Sequence, residues 1–246
     1  MVYQLCGEYD MSPAGTPYAL PMHQQIGEML IREIAAGRMV DGEKLPPERN
    51  MAADLGVAVG TLRKALAGLE RKGLLRRVQG SGNYVRARPD VASVYSLFRL
   101  ELVEGGGLPT ARVISVDRLP KPQDLPLFGT SDAAHRIRRL RSLGGRPAAL
   151  EEIWLDGSLA ETMRIEDLSD SLYVFYRKAL GIRIARVEDR VGIATVPEWT
   201  PDAFGLAANS VAGLVERIGW TQDGSSAEYS STWFDHRVAR YVARLR

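Results

Sequence analysis

LPPERNMAADLGVAVGTLRKALAGLERKGLLRRVQGSGNYV, running from Leu45 to Val85, decides the reading of the N-terminal part of this chain. Pro46 and Pro47 suit a helix start, because proline fixes φ and lacks an N–H that the first turn cannot use. Glu48 places a carboxylate in that first turn, and Gly56 after Leu55 supplies a left-handed stop. The pattern predicts a helix over Glu48 to Leu55. In a second helix Leu62, Ala65, Leu66 and Leu69 fall at i, i+3, i+4 and i+7, one apolar stripe closed by Gly73. Two short strand segments, Leu75-Arg76-Arg77-Val78 and Tyr84-Val85, then flank the turn Gln79-Gly80-Ser81-Gly82-Asn83, which can take positive φ. Helix, turn, helix and glycine-tipped hairpin in that order predict a winged helix-turn-helix that binds duplex DNA.

Opposite the apolar stripe lie Gly60, Thr61, Arg63 and Lys64, the short and donor-bearing residues a recognition helix presents to phosphates and base edges. Charge points the same way. Lys44 to Arg88 holds ten basic residues against three acidic ones, whereas the 246-residue chain carries only +2. Such asymmetry indicates a polyanion bound by one part of the molecule; a basic run by itself would favour a solvated face, and the order of helix, glycine turn, helix and glycine-rich hairpin decides against that.

Upstream, Met22, Ile26, Met29, Leu30 and Ile34 predict a helix between Pro21 and Ala36, with Gln24, Glu28 and Arg32 on its exposed side. Residues 1–16 have no periodicity and read as a loose leader without the features of a signal peptide. The reading is therefore a leader over 1–16, a winged helix-turn-helix over 17–86, a linker over 87–94 and a second domain over 95–246. One cysteine, Cys6, allows no intrachain disulfide, and the scattered His23, His135 and His236 give no metal-ligand spacing. Neither a cofactor nor a metal is expected. No apolar run approaches the roughly 18–20 residues of a spanning helix, so a cytoplasmic protein without membrane association is expected.

After the linker, strands are predicted at Ala111 to Asp117, Ala134 to Leu143, Ala148 to Leu155, Ile184 to Thr195, Val211 to Thr221 and Ala227 to Phe234. Helices are predicted at Leu159 to Met163, Ser171 to Leu180 and Pro201 to Leu206. This order argues for an α+β domain with a mainly antiparallel sheet. Counting by two puts Ile137, Arg139 and Arg141 on one strand face, and Glu151 on a face with Ala149, Ile153 and Leu155. Gly144-Gly145 suggests a hairpin that would bring the arginines near Glu151, a carboxylate that needs a partner among apolar neighbours. Glu228, Ser230, Thr232 and Phe234 share a further face. Spacing leaves two readings open, an ion cluster that only closes the sheet and a polar pocket. If the strand registers differed, Trp154, Trp233 and Phe234 could instead make an apolar wall.

Leu45-Pro46-Pro47-Glu48-Arg49, Ala53-Asp54-Leu55-Gly56-Val57, Gly60-Thr61-Leu62-Arg63-Lys64-Ala65-Leu66 and Gln79-Gly80-Ser81-Gly82 together resemble the DNA-binding domain of GntR-family transcription regulators. The resemblance implies DNA contacts from Arg49, Thr61 and Arg63, with Gln79, Gly80, Ser81 and Gly82 carrying the wing into the minor groove. Pro47 stands where many members have serine, and Ala58-Val59 where many have Ser-Arg. Pro109 to Asp117, Arg139-Leu140-Arg141, Gly144 to Glu151, Ser171-Leu172-Tyr173 and Glu228-Tyr229-Ser230 resemble the UTRA ligand-sensing domain of the HutC-like branch, whose fold is like that of chorismate lyase. By that resemblance Arg139, Arg141, Glu151, Ser171, Glu228 and Phe234 line an effector pocket, Phe234 replacing a tyrosine of some relatives.

Paired arginines and a helix start at Ser171 suit a phosphate or carboxylate. The expected protein is a regulator, a repressor by preference, whose hold on a near-palindromic DNA operator is set by a small anionic metabolite such as a phosphosugar or small organic acid. Two recognition helices roughly 34 Å apart imply a homodimer. Two rivals are an enzyme, with Arg139 or Arg141 holding a carboxylate and Glu151 as acid, and a non-specific architectural DNA-binding protein. The first lacks a nucleophile constellation. The second should show no metabolite response.

Overall fold

The computed structural model describes residues 21–35, 38–86, 97–168 and 171–243, so the expected leader and the whole of the expected linker lie outside the described residues. Three helices open the fold: α1 (Met22–Ala35), α2 (Glu48–Asp54) and α3 (Val59–Arg71), followed by the hairpin β1 (Leu75–Val78) and β2 (Gly82–Val85). Ile26, Leu30 and Ile34 of α1 meet Leu62, Leu66 and Leu69 of α3 in one core, closed by Leu45, Leu74 and Val85. The helical stripes predicted from sequence are the faces buried here. The wing pairs Leu75 with Val85 and Val78 with Gly82. Gly80 at its tip has φ 73°, which an L side chain adopts only with strain.

One expectation for α1 fails. Gln24 is exposed, but Arg32 is only 6% exposed, because its guanidinium reaches the second domain at Gly107 O (3.3 Å). A sequence period marks which face is polar, and a polar face can still be covered by another domain.

The C-terminal domain is a six-stranded antiparallel sheet in the order β4-β5-β6-β9-β8-β7, built from β4 (Pro109–Pro120), β5 (Ala133–Leu143), β6 (Arg146–Asp156), β7 (Ile184–Thr195), β8 (Val211–Thr221) and β9 (Ser226–Phe234). A two-stranded ribbon, β3 (Leu100–Leu102) with β10 (Ala239–Tyr241), shares an apolar cluster with the sheet through Leu100, Ala239, Leu143, Val215 and Phe234. Gly144 and Gly145 join β5 to β6 with φ of 55° and 78°, the pair of positive values a tight two-residue hairpin needs. A bulge between Arg141 and Ser142 then shifts the pairing by one residue, and this shift puts Arg139 opposite Glu151.

The six predicted strands are present, each within three residues of its expected ends. The helices are shorter. Ser171 to Leu180 resolves into α4 (Leu172–Phe175) running into a wider turn, Tyr176–Leu180, stopped by Gly181 at φ 68°. Pro201 to Leu206 holds a single tight turn, Asp202–Phe204. No helix forms over Leu159 to Met163. There the Asp156 carboxylate accepts the N–H of Ser158 and of Ser131 at 3.1 Å each and pairs with Lys121 (2.6 Å), which fixes the start of the segment as a loop.

Candidate nucleic-acid interface and ligand cavity

α3 buries Leu62, Ala65, Leu66 and Leu69 and leaves Gly60, Arg63 and Lys64 exposed near its start. Arg63 Nε donates to Glu48 Oε2 at 2.7 Å, and Glu48 also faces Arg77 (3.8 Å) and accepts from Asn83 Nδ2 (3.5 Å). One carboxylate thus ties α2, α3 and the wing together. The Arg63 bond holds its carboxyl below the usual range. Arg49 is exposed on the neighbouring α2, and Gln79 and Gly80 are exposed at the wing tip. Ser81 Oγ lies 2.7 Å from Tyr84 Oη, and the Arg76 guanidinium sits 5.7 Å over the Tyr84 ring. The residues predicted to touch DNA therefore fall on α2, the start of α3 and the wing. Neither Pro47 nor Ala58, the residues preceding α2 and α3, makes a side-chain capping bond.

The second cluster lies on one face of the large sheet. Arg139, Arg141, Glu151, Ser171 and Glu228 line a single cavity. Phe234 does not. Although it shares the predicted face, it is at the far end of β9, where its ring fills the space over Gly213 and joins an apolar cluster with Ala149 and Val215. The same registers carry Trp154 and Trp233 to the opposite face, among Phe128 and Tyr229 and beside Trp199 respectively, so the apolar-wall alternative is excluded.

Glu151 anchors the cavity. Its carboxylate meets Arg139 Nη2 at 2.6 Å and Arg141 Nε and Nη2 at 3.0 and 3.1 Å, with all three residues less than 8% exposed. Burial by itself would raise the carboxyl, but the two guanidiniums outweigh it and hold it at about 2. Burial lowers Arg139 in turn. Glu228 behaves oppositely. Burial raises its carboxyl, and the Tyr173 hydroxyl donating at 2.7 Å only partly offsets this. Gly219, opposite Glu228 on β8, gives that side chain its room, since an added Cβ would come within 2.9 Å of Glu228 Cγ.

Several lining residues were missing from the sequence-based set. Arg217 enters from β8 opposite Ser230 and forms a two-pronged pair with Asp189 at 2.5 and 2.7 Å; Tyr241 also donates to Asp189. Period-two counting on β8 puts Arg217 with Val215, a signal available in the sequence. Phe98 joins from just before β3, where no local pattern marks it. Four arginines, Arg99, Arg139, Arg141 and Arg217, thus line the cavity with two carboxylates, Glu151 and Glu228, while Asp189 pairs with Arg217.

Residues 22–85 match the model of bacterial regulatory proteins of the gntR family, and residues 104–239 match the UTRA domain. The chain is 63% identical over 228 residues to the HTH-type transcriptional regulator SmoD of Agrobacterium fabrum, covering 93% of this chain and 97% of that one. It is 26% identical to the mannosyl-D-glycerate transport/metabolism system repressor MngR of Escherichia coli, over 87% of this chain and 92% of the other. Among solved structures, the possible transcriptional regulator YydK of Bacillus subtilis shares the fold with a TM-score of 0.51 at 22% identity, over 92% of this chain and all of that one.

Proposed function

Because the chain belongs to the GntR family of transcription regulators and carries a UTRA domain, we propose that it is a cytoplasmic repressor released from, or fixed to, its operator by a small anionic metabolite. The observation that carries the reading is the convergence of Arg139 and Arg141 on Glu151 in a cavity beside Glu228. Guanidinium forks match phosphate or carboxylate oxygens, and Glu228, Ser230 and Thr232 offer partners for hydroxyl groups. A phosphosugar or a hydroxylated organic acid combines both features. MngR, a relative by sequence, is named for a mannosyl-D-glycerate system, a solute of that kind.

Arg49, Gly60, Thr61, Arg63 and Lys64 would read one major-groove segment while Gln79, Gly80, Ser81 and Gly82 follow the minor groove. A homodimer would present two such heads to a near-palindromic site. Support for pairing of copies comes from β7, a sheet-edge strand with Val191 and Ile193 55% and 78% exposed.

Fluorescence anisotropy of a duplex from immediately upstream of the protein's own gene, against scrambled DNA at fixed near-physiological salt, tests the proposal. Specific binding should exceed non-specific binding by at least about a thousandfold. Equal, weak binding to this duplex and to every other fragment of a genomic library would overturn sequence-specific repression.

A further inference from the structure

Phe98 lies between two arginines from different domains. The Arg141 guanidinium, in the cavity, stands 4.9 Å from the ring centroid; that of Arg32, on α1 of the DNA-binding domain, stands 5.6 Å from it. Phe98 itself lines the cavity. The segment that carries it is held on both sides: Leu100 to Leu102 pair with β10, and Glu101 forms an ion pair with Arg38, which also pairs with Glu33 at the end of α1. One short stretch of chain therefore touches the cavity, the sheet and the DNA-binding domain.

Arg32 is poorly satisfied for so buried a cation. Its side chain is 7% exposed, its bonds to Gly107 O and Glu33 Oε1 are long at 3.3 and 3.4 Å, and Nε and Nη1 have no acceptor among the described residues. Burial accordingly lowers its pKa. A guanidinium has five donors, and leaving part of them unmet in the interior is costly. The ring face of Phe98 supplies part of what is missing. Such a contact holds the domain in place while remaining easy to give up.

We infer that Phe98, clasped by Arg32 and Arg141, is the latch through which occupancy of the cavity sets the position of the DNA-binding domain. This rests on the reading that the cavity takes an anion. An anion entering beside Arg141 draws its guanidinium off the ring, so the ring and the segment Phe98–Leu102 resettle and Arg32 loses its partner. The ligand then favours the released arrangement by its higher affinity for it, and the reverse holds for DNA.

Pulsed electron spin resonance decides the matter. Spin labels are placed through Asp54→Cys and Glu161→Cys, both exposed, in full-length protein carrying Cys6→Ser and diluted with unlabelled chain. Without ligand, the parent should give a narrow interdomain distance distribution, Arg32→Met a broadened one, and Arg32→Lys, which keeps a cation, one close to the parent. An Arg32→Met distribution equal to the parent's overturns the latch. If that variant does not fold, Phe98→Leu is read in the same way. Inorganic phosphate at fixed ionic strength, with binding followed by calorimetry, should move the parent toward the Arg32→Met distribution and leave the variant unmoved. Phosphate that binds without moving the parent overturns the coupling. Phosphate that does not bind counts against the anion reading of the cavity, while the ligand-free comparison still decides the latch.

Discussion

Replacing Glu151 by glutamine removes the charge on which Arg139 and Arg141 converge, while keeping the side chain's shape and one acceptor oxygen. Their side chains are 4% and 5% exposed, so neither can turn to water without opening the sheet face. Breaking a buried ion pair by deleting one partner costs about 3–5 kcal/mol, since the remaining charge stays desolvated. All four tryptophans, Trp154, Trp199, Trp220 and Trp233, lie in the C-terminal domain, so their fluorescence follows that domain alone during urea unfolding. With a urea dependence of about 2 kcal/mol per molar, the midpoint should fall by about 1.5–2.5 M. Phosphate should recover part of the loss, and more in Glu151→Gln than in the parent, because an anion now fills the place of the missing carboxylate. A midpoint within about 0.3 M of the parent would refute the reasoning, for it would mean that the arginines reach solvent or another anion.

Arg63→Ala should weaken operator binding by about 1–3 kcal/mol, some 5- to 150-fold, in the anisotropy titration; unchanged affinity would remove Arg63 from the interface. Ala58→Ser supplies the missing cap to α3 and should stabilise the DNA-binding domain by about 0.5–1 kcal/mol, visible as a higher far-ultraviolet circular dichroism midpoint with the tryptophan transition unmoved. Loss of midpoint would instead mean that the backbone at Ala58 does not admit a cap. Glu228 has a carboxyl raised above its ordinary 4.5, so its contribution to stability is present below that pH and is lost as pH rises through the raised value. The advantage of Glu228→Gln over the parent should therefore grow with pH above about 4.5 in thermal melts, and a flat difference would refute the assignment. Glu151 runs the other way, its contribution disappearing as pH falls from 4.5 toward about 2.

Much of this protein is written in local pattern. The stripe Leu62, Ala65, Leu66, Leu69 and the stops Gly56 and Gly73 specify the helix-turn-helix, because helical period and left-handed glycine are properties of a few neighbouring residues. Strand parity likewise put Arg139 with Arg141, but Glu151 shares their face only through the bulge between Arg141 and Ser142, since the two-residue Gly144-Gly145 turn alone would set it opposite Arg138. Other features depend on contacts between residues far apart in the chain. Phe234 has the parity of Glu228 but ends over Gly213, since position along a strand, which parity does not specify, decides which part of the sheet a side chain covers. Asp189 meets Arg217 only because β7 and β8 pair in one register. Arg32 reads as a solvent-facing residue of α1 and becomes buried against Gly107 and Phe98 because a second domain packs there. Sequence determined the helix-turn-helix, the wing and the six strands of the large sheet with the charges they carry; tertiary packing decided the short helices, the ribbon of β3 and β10 and which of those charges meet, because burial and pairing across long separations are set by the whole fold.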